Sequence, residues 1–147
     1  MLRPRMIWLF VAGSVCACTT PEAPRKQLKD VDFKALTTPC DCLEAATVMY
    51  DHSSELVLKI KGLSDQTRKH NNLGEPTPDA VLDSLLMLSE QLRADLEGPG
   101  RDLHAACKEL VAFNAVGEGA EEVDCDNLDR FRAAHVRLDQ LKKGAQP

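Results

Sequence analysis

Four cysteines in the body of the chain, Cys40, Cys42, Cys107 and Cys125, constrain its fold more than any other feature. An even number of thiols in an oxidising compartment points to two disulfides, for which three pairings exist. Pairing Cys40 with Cys42 would close a very small ring at a helix start, awkward against the usual Cα separation of about 4.4–6.8 Å. The other two pairings join Cys40 and Cys42 to Cys107 and Cys125, and either would staple the first helix to the last two. A link from Cys40 to Cys125 closes a loop of about 86 residues, which by loop-closure entropy is worth up to roughly 4.6 kcal/mol. Against a total stability of about 5–15 kcal/mol, such a link decides whether a small domain stays folded.

The oxidising compartment is implied by the N-terminus. Arg3 and Arg5 precede Met6-Ile7-Trp8-Leu9-Phe10-Val11-Ala12-Gly13-Ser14-Val15-Cys16-Ala17, an apolar run of twelve residues. A transmembrane helix needs about 20 residues, so the run has the layout of an export signal instead. It ends in Val15-Cys16-Ala17-Cys18, which resembles the bacterial lipobox. That resemblance covers the first eighteen residues and implies an export signal over residues 1–17 and lipid on Cys18. It further implies a bacterial envelope lipoprotein, with Thr19 after the modified Cys resembling the pattern that permits transfer to the outer membrane, facing the periplasm or the surface. Several acyl chains on one Cys, palmitate among them, would hold the chain on a membrane where a single chain would not. Ordinary cleavage after Ala17, giving a free secreted protein, is the alternative.

Residues 18–37 read as the lipidated N-terminus and a flexible tether, with Pro21, Pro24 and the charged stretch Arg25-Lys26-Gln27-Leu28-Lys29-Asp30. Fully extended, such a tether reaches about 60 Å. Residues 38–143 read as one helical domain and 144–147 as a disordered C-terminus. Thr38-Pro39 has the form of an N-cap followed by Pro at the first helical position, with Asp41 completing a capping box. Leu43, Ala46, Tyr50, Ser53, Val57 and Ile60 then recur at helical spacing, predicting a helix over 39–63. Lys69-His70-Asn71-Asn72-Leu73-Gly74-Glu75-Pro76 has no period and reads as a loop. Thr77-Pro78 predicts a second start, with Val81, Leu82, Leu85, Leu88, Leu92 and Leu96 as its stripe and Gly98-Pro99-Gly100 as its stop. A third helix over 101–115 follows on Leu103, Ala106, Cys107, Leu110 and Phe113. A fourth runs to about Lys142 on Leu128, Phe131, His135, Leu138 and Leu141, with acids at its start and Lys142-Lys143 at its end to suit the helix dipole. No β-branched alternating run exists, so the expected fold is all-α, a small disulfide-stapled bundle of about four helices.

Charge and aromatic content exclude some partners. Removing Arg3 and Arg5 leaves 16 of the 18 basic residues against 23 acidic ones, moving the balance from −5 to −7. An acidic surface without a basic run argues against nucleic acid. The mature chain keeps only Phe33, Tyr50, Phe113 and Phe131 as aromatics, too few for a stacking platform.

Each chemistry-bearing residue has a sharper and a blander reading. Cys40 would sit at N2 of a helix, where the dipole favours thiolate, so a thiol-disulfide redox protein using Cys40 and Cys42 is one alternative. A periplasmic metal-binding protein is another, since Cys40, Cys42, His104, Cys107 and Cys125 include suitable ligand types. Structural disulfides are the main reading, with no metal and no cofactor. His135 lies on an apolar stripe and reads as a packed boundary histidine with one hydrogen bond. His52 and Glu55 share a helix face that could support a metal or a proton relay, though a solvated face explains them as well. Glu118, Glu121, Glu122, Asp124, Asp126 and Asp129 offer oxygen ligands but lack the EF-hand pattern, so acids gathered around a helix start are the better account. Ser53, Ser54 and Ser84 have no nucleophile-elbow setting. Lys69, His70, Asn71 and Asn72 are the exposed polar candidates for contact with an unknown protein partner. The expected function is therefore non-enzymatic, that of an accessory, inhibitor or immunity-type lipoprotein acting through protein contacts.

Overall fold

A computed structural model describes residues 26–144. The proposed signal over 1–17, the lipidation at Cys18, residues 19–25 and residues 145–147 lie outside the described residues. The fold is all-α, a bundle of helices stapled by two disulfides.

Helix α1, Pro39–Asn72, is the spine. The expected cap forms: Thr38 Oγ1 accepts from the Asp41 amide at 3.2 Å, while Asp41 Oδ2 accepts from the Thr38 amide at 3.1 Å and the Thr38 hydroxyl at 2.7 Å. These bonds satisfy orphan amides of the first turn. At 34 residues α1 spans about 51 Å and ends nine residues beyond the expected position 63.

The loop expected over 69–76 therefore begins only at Leu73, and Lys69, His70, Asn71 and Asn72 form the last helical turn. What ends the helix is Gly74, whose φ of 69° suits the left-handed region that glycine enters without Cβ strain. The Glu75 amide bonds the His70 carbonyl at 3.0 Å and the Gly74 amide bonds the Asn71 carbonyl at 3.1 Å, a complete Schellman closure. Leu63, Thr67 and His70 carry the inward stripe to this end, and Thr67 Oγ1 donates back to the Leu63 carbonyl at 3.1 Å.

Helix α2, Asp79–Asp95, starts differently from α1 despite the shared Thr-Pro. Its N-cap is Pro78, with no side-chain cap bond, because the residue three past Thr77 is Ala80 and offers no reciprocal carboxylate. Gly98-Pro99-Gly100 does not stop the chain's helical course. A π turn, Leu96–Gly100, takes up the missing proline amide and leads straight into α3, Arg101–Cys107. Gly100 serves packing there: a Cβ on it would lie 2.7 Å from Met49 Cε of α1.

The single helix expected over 101–115 is two. After α3 the chain turns, with the Leu110 and Val111 amides both bonding the Cys107 carbonyl, and Val111 becomes buried. Helix α4, Phe113–Gly117, follows. Helix α5, Leu128–Lys143, closes the bundle with Asp129 in its first turn, Lys142 and Lys143 in its last, and Gly144 as its C-cap.

The core gathers where α1 meets α3, α4 and α5: Leu43, Ala46, Met49, Leu103, Val116 and Phe131, together with Cys42 and Cys107. Part of the expected tether belongs to this body. Leu28, in a 3₁₀ turn, is buried at 9% exposure, and Val31, Phe33 and Leu36 pack on the core. Apolar side chains at that spacing outweigh the charged residues between them.

Every buried residue of α1 lies between Cys42 and Leu56, and α2 has none. The part of α1 beyond Leu56 and α2 thus form a two-helix arm, the least buried part of the bundle.

Candidate functional site

The cysteine end of the bundle is built on helical geometry. In α1, at 3.6 residues per turn, residues two apart point to nearly opposite sides, so Cys40 and Cys42 face different neighbours. Cys40 pairs with Cys125, with Cα atoms 5.5 Å apart, and ties the N-terminus of α1 to the acidic loop before α5. Cys42 pairs with Cys107 of α3, with Cα atoms 5.8 Å apart. Both separations fall in the ordinary disulfide range. Asn127 Nδ2 adds a bond to the Cys40 carbonyl at 3.3 Å beside the outer link.

This arrangement sets the pairing that the four cysteines take. Cys40 and Cys42 are not partners of one another, so they do not form the single exchangeable pair that a Cys-x-Cys redox site requires. The Cys42–Cys107 bridge is at 0% exposure for both residues, closed to an attacking thiolate. All four sulfurs are committed to disulfides and His104 is exposed on α3, so the five-residue ligand set is not assembled. Among the described residues, no three His, Cys, Asp or Glu side chains are arranged to hold a metal ion. That includes the acids before α5, of which Glu121 instead accepts from the Ala112 amide at 3.1 Å.

A second constellation lies along α1, where α2 and α5 both pack on it without packing closely on each other. Between them runs an open groove of about 1170 Å³, crossed at one end by Lys26–Lys29. Three positions on the polar face of α1 each bind a different wall. Glu44 pairs with Lys26 of the N-terminal segment, Asp51 with Arg137 of α5 at 3.1 Å, and His52 Nε2 with Asp95 Oδ2 of α2 at 2.9 Å. The His52 and Asp95 side chains are mostly shielded, whereas Glu55 lies exposed in the groove without joining His52.

The relay reading of His52 and Glu55 gives way to a contact between His52 and Asp95, two residues 43 apart in sequence. No local spacing announces such a partner. Asp51, Arg137 and Lys26 escaped sequence reading for the same reason, since one member alone looks like a solvated charge. These contacts stitch three elements to the spine, and among the described residues no hydroxyl or thiol nucleophile lines the groove with its oxygen or sulfur free. Thr47, the only hydroxyl residue lining it, donates to the Leu43 carbonyl at 2.6 Å.

The other candidates sit apart. His135 is half-buried, its ring centroid 5.7 Å from that of Tyr50 and 6.0 Å from that of Phe131. Among the described residues no hydrogen-bond partner reaches it, so its neighbours are rings and the close backbone of Gly117. Burial in this cluster pushes the Tyr50 hydroxyl above the usual phenol range. Ser53 and Ser54 are buried, and the Ser84 hydroxyl is turned to the Ala80 carbonyl at 2.7 Å. Lys69, His70, Asn71 and Asn72 lie at the far tip of the arm, remote from both disulfides, with His70 Nδ1 3.4 Å from Glu75 Oε2.

Compared with protein-family models, with curated proteins and with solved structures, the chain matches none of them.

Proposed function

We propose that the chain is the precursor of a lipid-anchored bacterial envelope lipoprotein whose helical domain works outside the cytoplasm through contacts with a protein partner. The observation that carries this reading is that all four cysteines downstream of the lipobox-like Val15-Cys16-Ala17-Cys18 are paired as disulfides. Disulfides persist in oxidising compartments, which is where a lipobox would deliver the chain. An accessory, inhibitory or immunity-type role suits a rigid module whose polar groups are spent on holding helices together.

The test is metabolic labelling with a palmitate analogue in a double-membrane bacterium. The wild-type chain is expected to take up label and fractionate with the outer membrane, while Cys18→Ala takes up none. A wild-type chain that is unlabelled and soluble in the periplasm would overturn the anchor.

A further inference from the structure

We propose that the outer face of α2 is a docking surface for a cationic amphipathic helix of a partner, an inference that rests on the reading of the chain as a protein-contact module. Helix α2 packs on α1 through Val81, Leu85, Leu88 and Leu92, all half-buried and recurring at spacings of three and four. It carries a second apolar set that the described residues leave largely uncovered: Leu82, Leu86 and Met87 are 43%, 61% and 62% exposed. Ser89, Arg93 and Leu96 extend the line from Leu82 and Leu86 at the same spacing, and Leu96 is 52% exposed. A helix that is apolar beyond the stripe facing its neighbour is built to be covered on another side as well.

Charge identifies what covers it. Around this second set stand Asp79, Asp83, Glu90 and Glu97, all exposed, against a single base, Arg93. The remaining acid of the helix, Asp95, is taken by His52. A second copy would bring carboxylates against carboxylates, and an anionic lipid surface would be repelled in the same way. A helix with apolar residues at spacings of three and four, flanked by Lys or Arg, satisfies both the leucines and the acids. Its seat is an arm with no buried side chain of its own in α2, so covering this face adds apolar burial where the free chain has least.

The probe is a synthetic helical peptide of Leu and Lys at amphipathic spacing, titrated into the full exported chain carrying Cys18→Ser so that no lipid contributes. One-to-one binding is expected, with amide-shift changes confined to α2, and the matching Leu and Glu peptide is expected not to bind. Leu82→Gln with Leu86→Gln should weaken binding by about tenfold or more, and Asp83→Lys with Glu90→Lys should also weaken it, each with an unchanged far-ultraviolet spectrum. Shift changes in the groove or at the disulfide end overturn the proposal, as does binding that ignores these substitutions. So do a free chain that is already a dimer through α2, and tighter binding to phosphatidylcholine vesicles than to the peptide. Since this chain cannot be acylated at Cys18, its failure here would leave the palmitate result intact.

Discussion

Gly117 shows how a single missing side chain fixes a neighbour. A Cβ there would lie 2.6 Å from His135 Nδ1 and 2.7 Å from its Cε1, inside any tolerable contact. The imidazole cannot simply swing away, because Tyr50 and Phe131 crowd its other side. Gly117→Ala is therefore expected to cost about 1–3 kcal/mol through overpacking, read as a lowered urea midpoint with an unchanged slope. At the opposite end of the core, Asp41 is held below its ordinary pKa of 3.8, first by the Thr38 hydroxyl and then by the Thr37 amide. Its folded-state pKa is depressed, so its contribution is full above that ordinary value and is lost as pH falls through the lower one. An amide-shift titration should show the Thr38 and Asp41 signals moving with a midpoint below 3.8 while the centre of α1 stays unmoved. A midpoint at or above 3.8 would contradict the cap geometry.

The two Thr-Pro starts make a test at the scale of elements. Thr38→Ala removes the hydroxyl that accepts from the Asp41 amide and donates to its carboxylate, leaving only the backbone side of the cap, and should cost about 1 kcal/mol. Thr77→Ala removes no cap bond and should leave stability within about 0.5 kcal/mol, both read by chemical denaturation. The difference was readable in advance from Asp41 against Ala80, but only by checking the third helical residue of each. The same holds for Gly74, a glycine past a helix end that the unperiodic Lys69-His70-Asn71-Asn72 disguised as the middle of a loop. Period failed there because no residue of α1 beyond Leu56 is buried, so its outer positions are free to be polar. Gly98-Pro99-Gly100 misled in the opposite sense. Breakers end a helix when water can take the freed backbone groups, yet here a π turn and the close approach to Met49 carry the chain through. Stripe, caps and α5 were legible because each rests on residues within a turn or two. The partner of His52 and the join between Cys42 and Cys107 depend on which helices meet, which no local pattern encodes.

For the molecule as a whole, the two disulfides are nested, Cys42–Cys107 lying inside the loop closed by Cys40–Cys125. Each is worth up to about 4.5 kcal/mol by loop-closure entropy, and less together than their sum, because closing the outer loop already restrains the inner one. Their exposure separates them further: the outer pair is half-buried, the inner pair fully enclosed. Graded reduction with rapid alkylation should label Cys40 and Cys125 first and reach Cys42 and Cys107 only when the bundle opens globally. Simultaneous labelling of all four, or early labelling of Cys107, would contradict the packing. The arm is expected to loosen before the body, since its helices contribute no buried side chain beyond Leu56. One measurement bears directly on the central claim of a disulfide-stapled, lipid-anchored envelope protein. It is the intact mass and non-reducing peptide map of the chain purified from bacterial membranes with free thiols blocked. The account predicts acylated Cys18 at the N-terminus, no blocked thiol, and cross-linked peptides joining Cys40 to Cys125 and Cys42 to Cys107. An unacylated N-terminus, blocked thiols at any of the four, or a Cys40 to Cys42 link would contradict it.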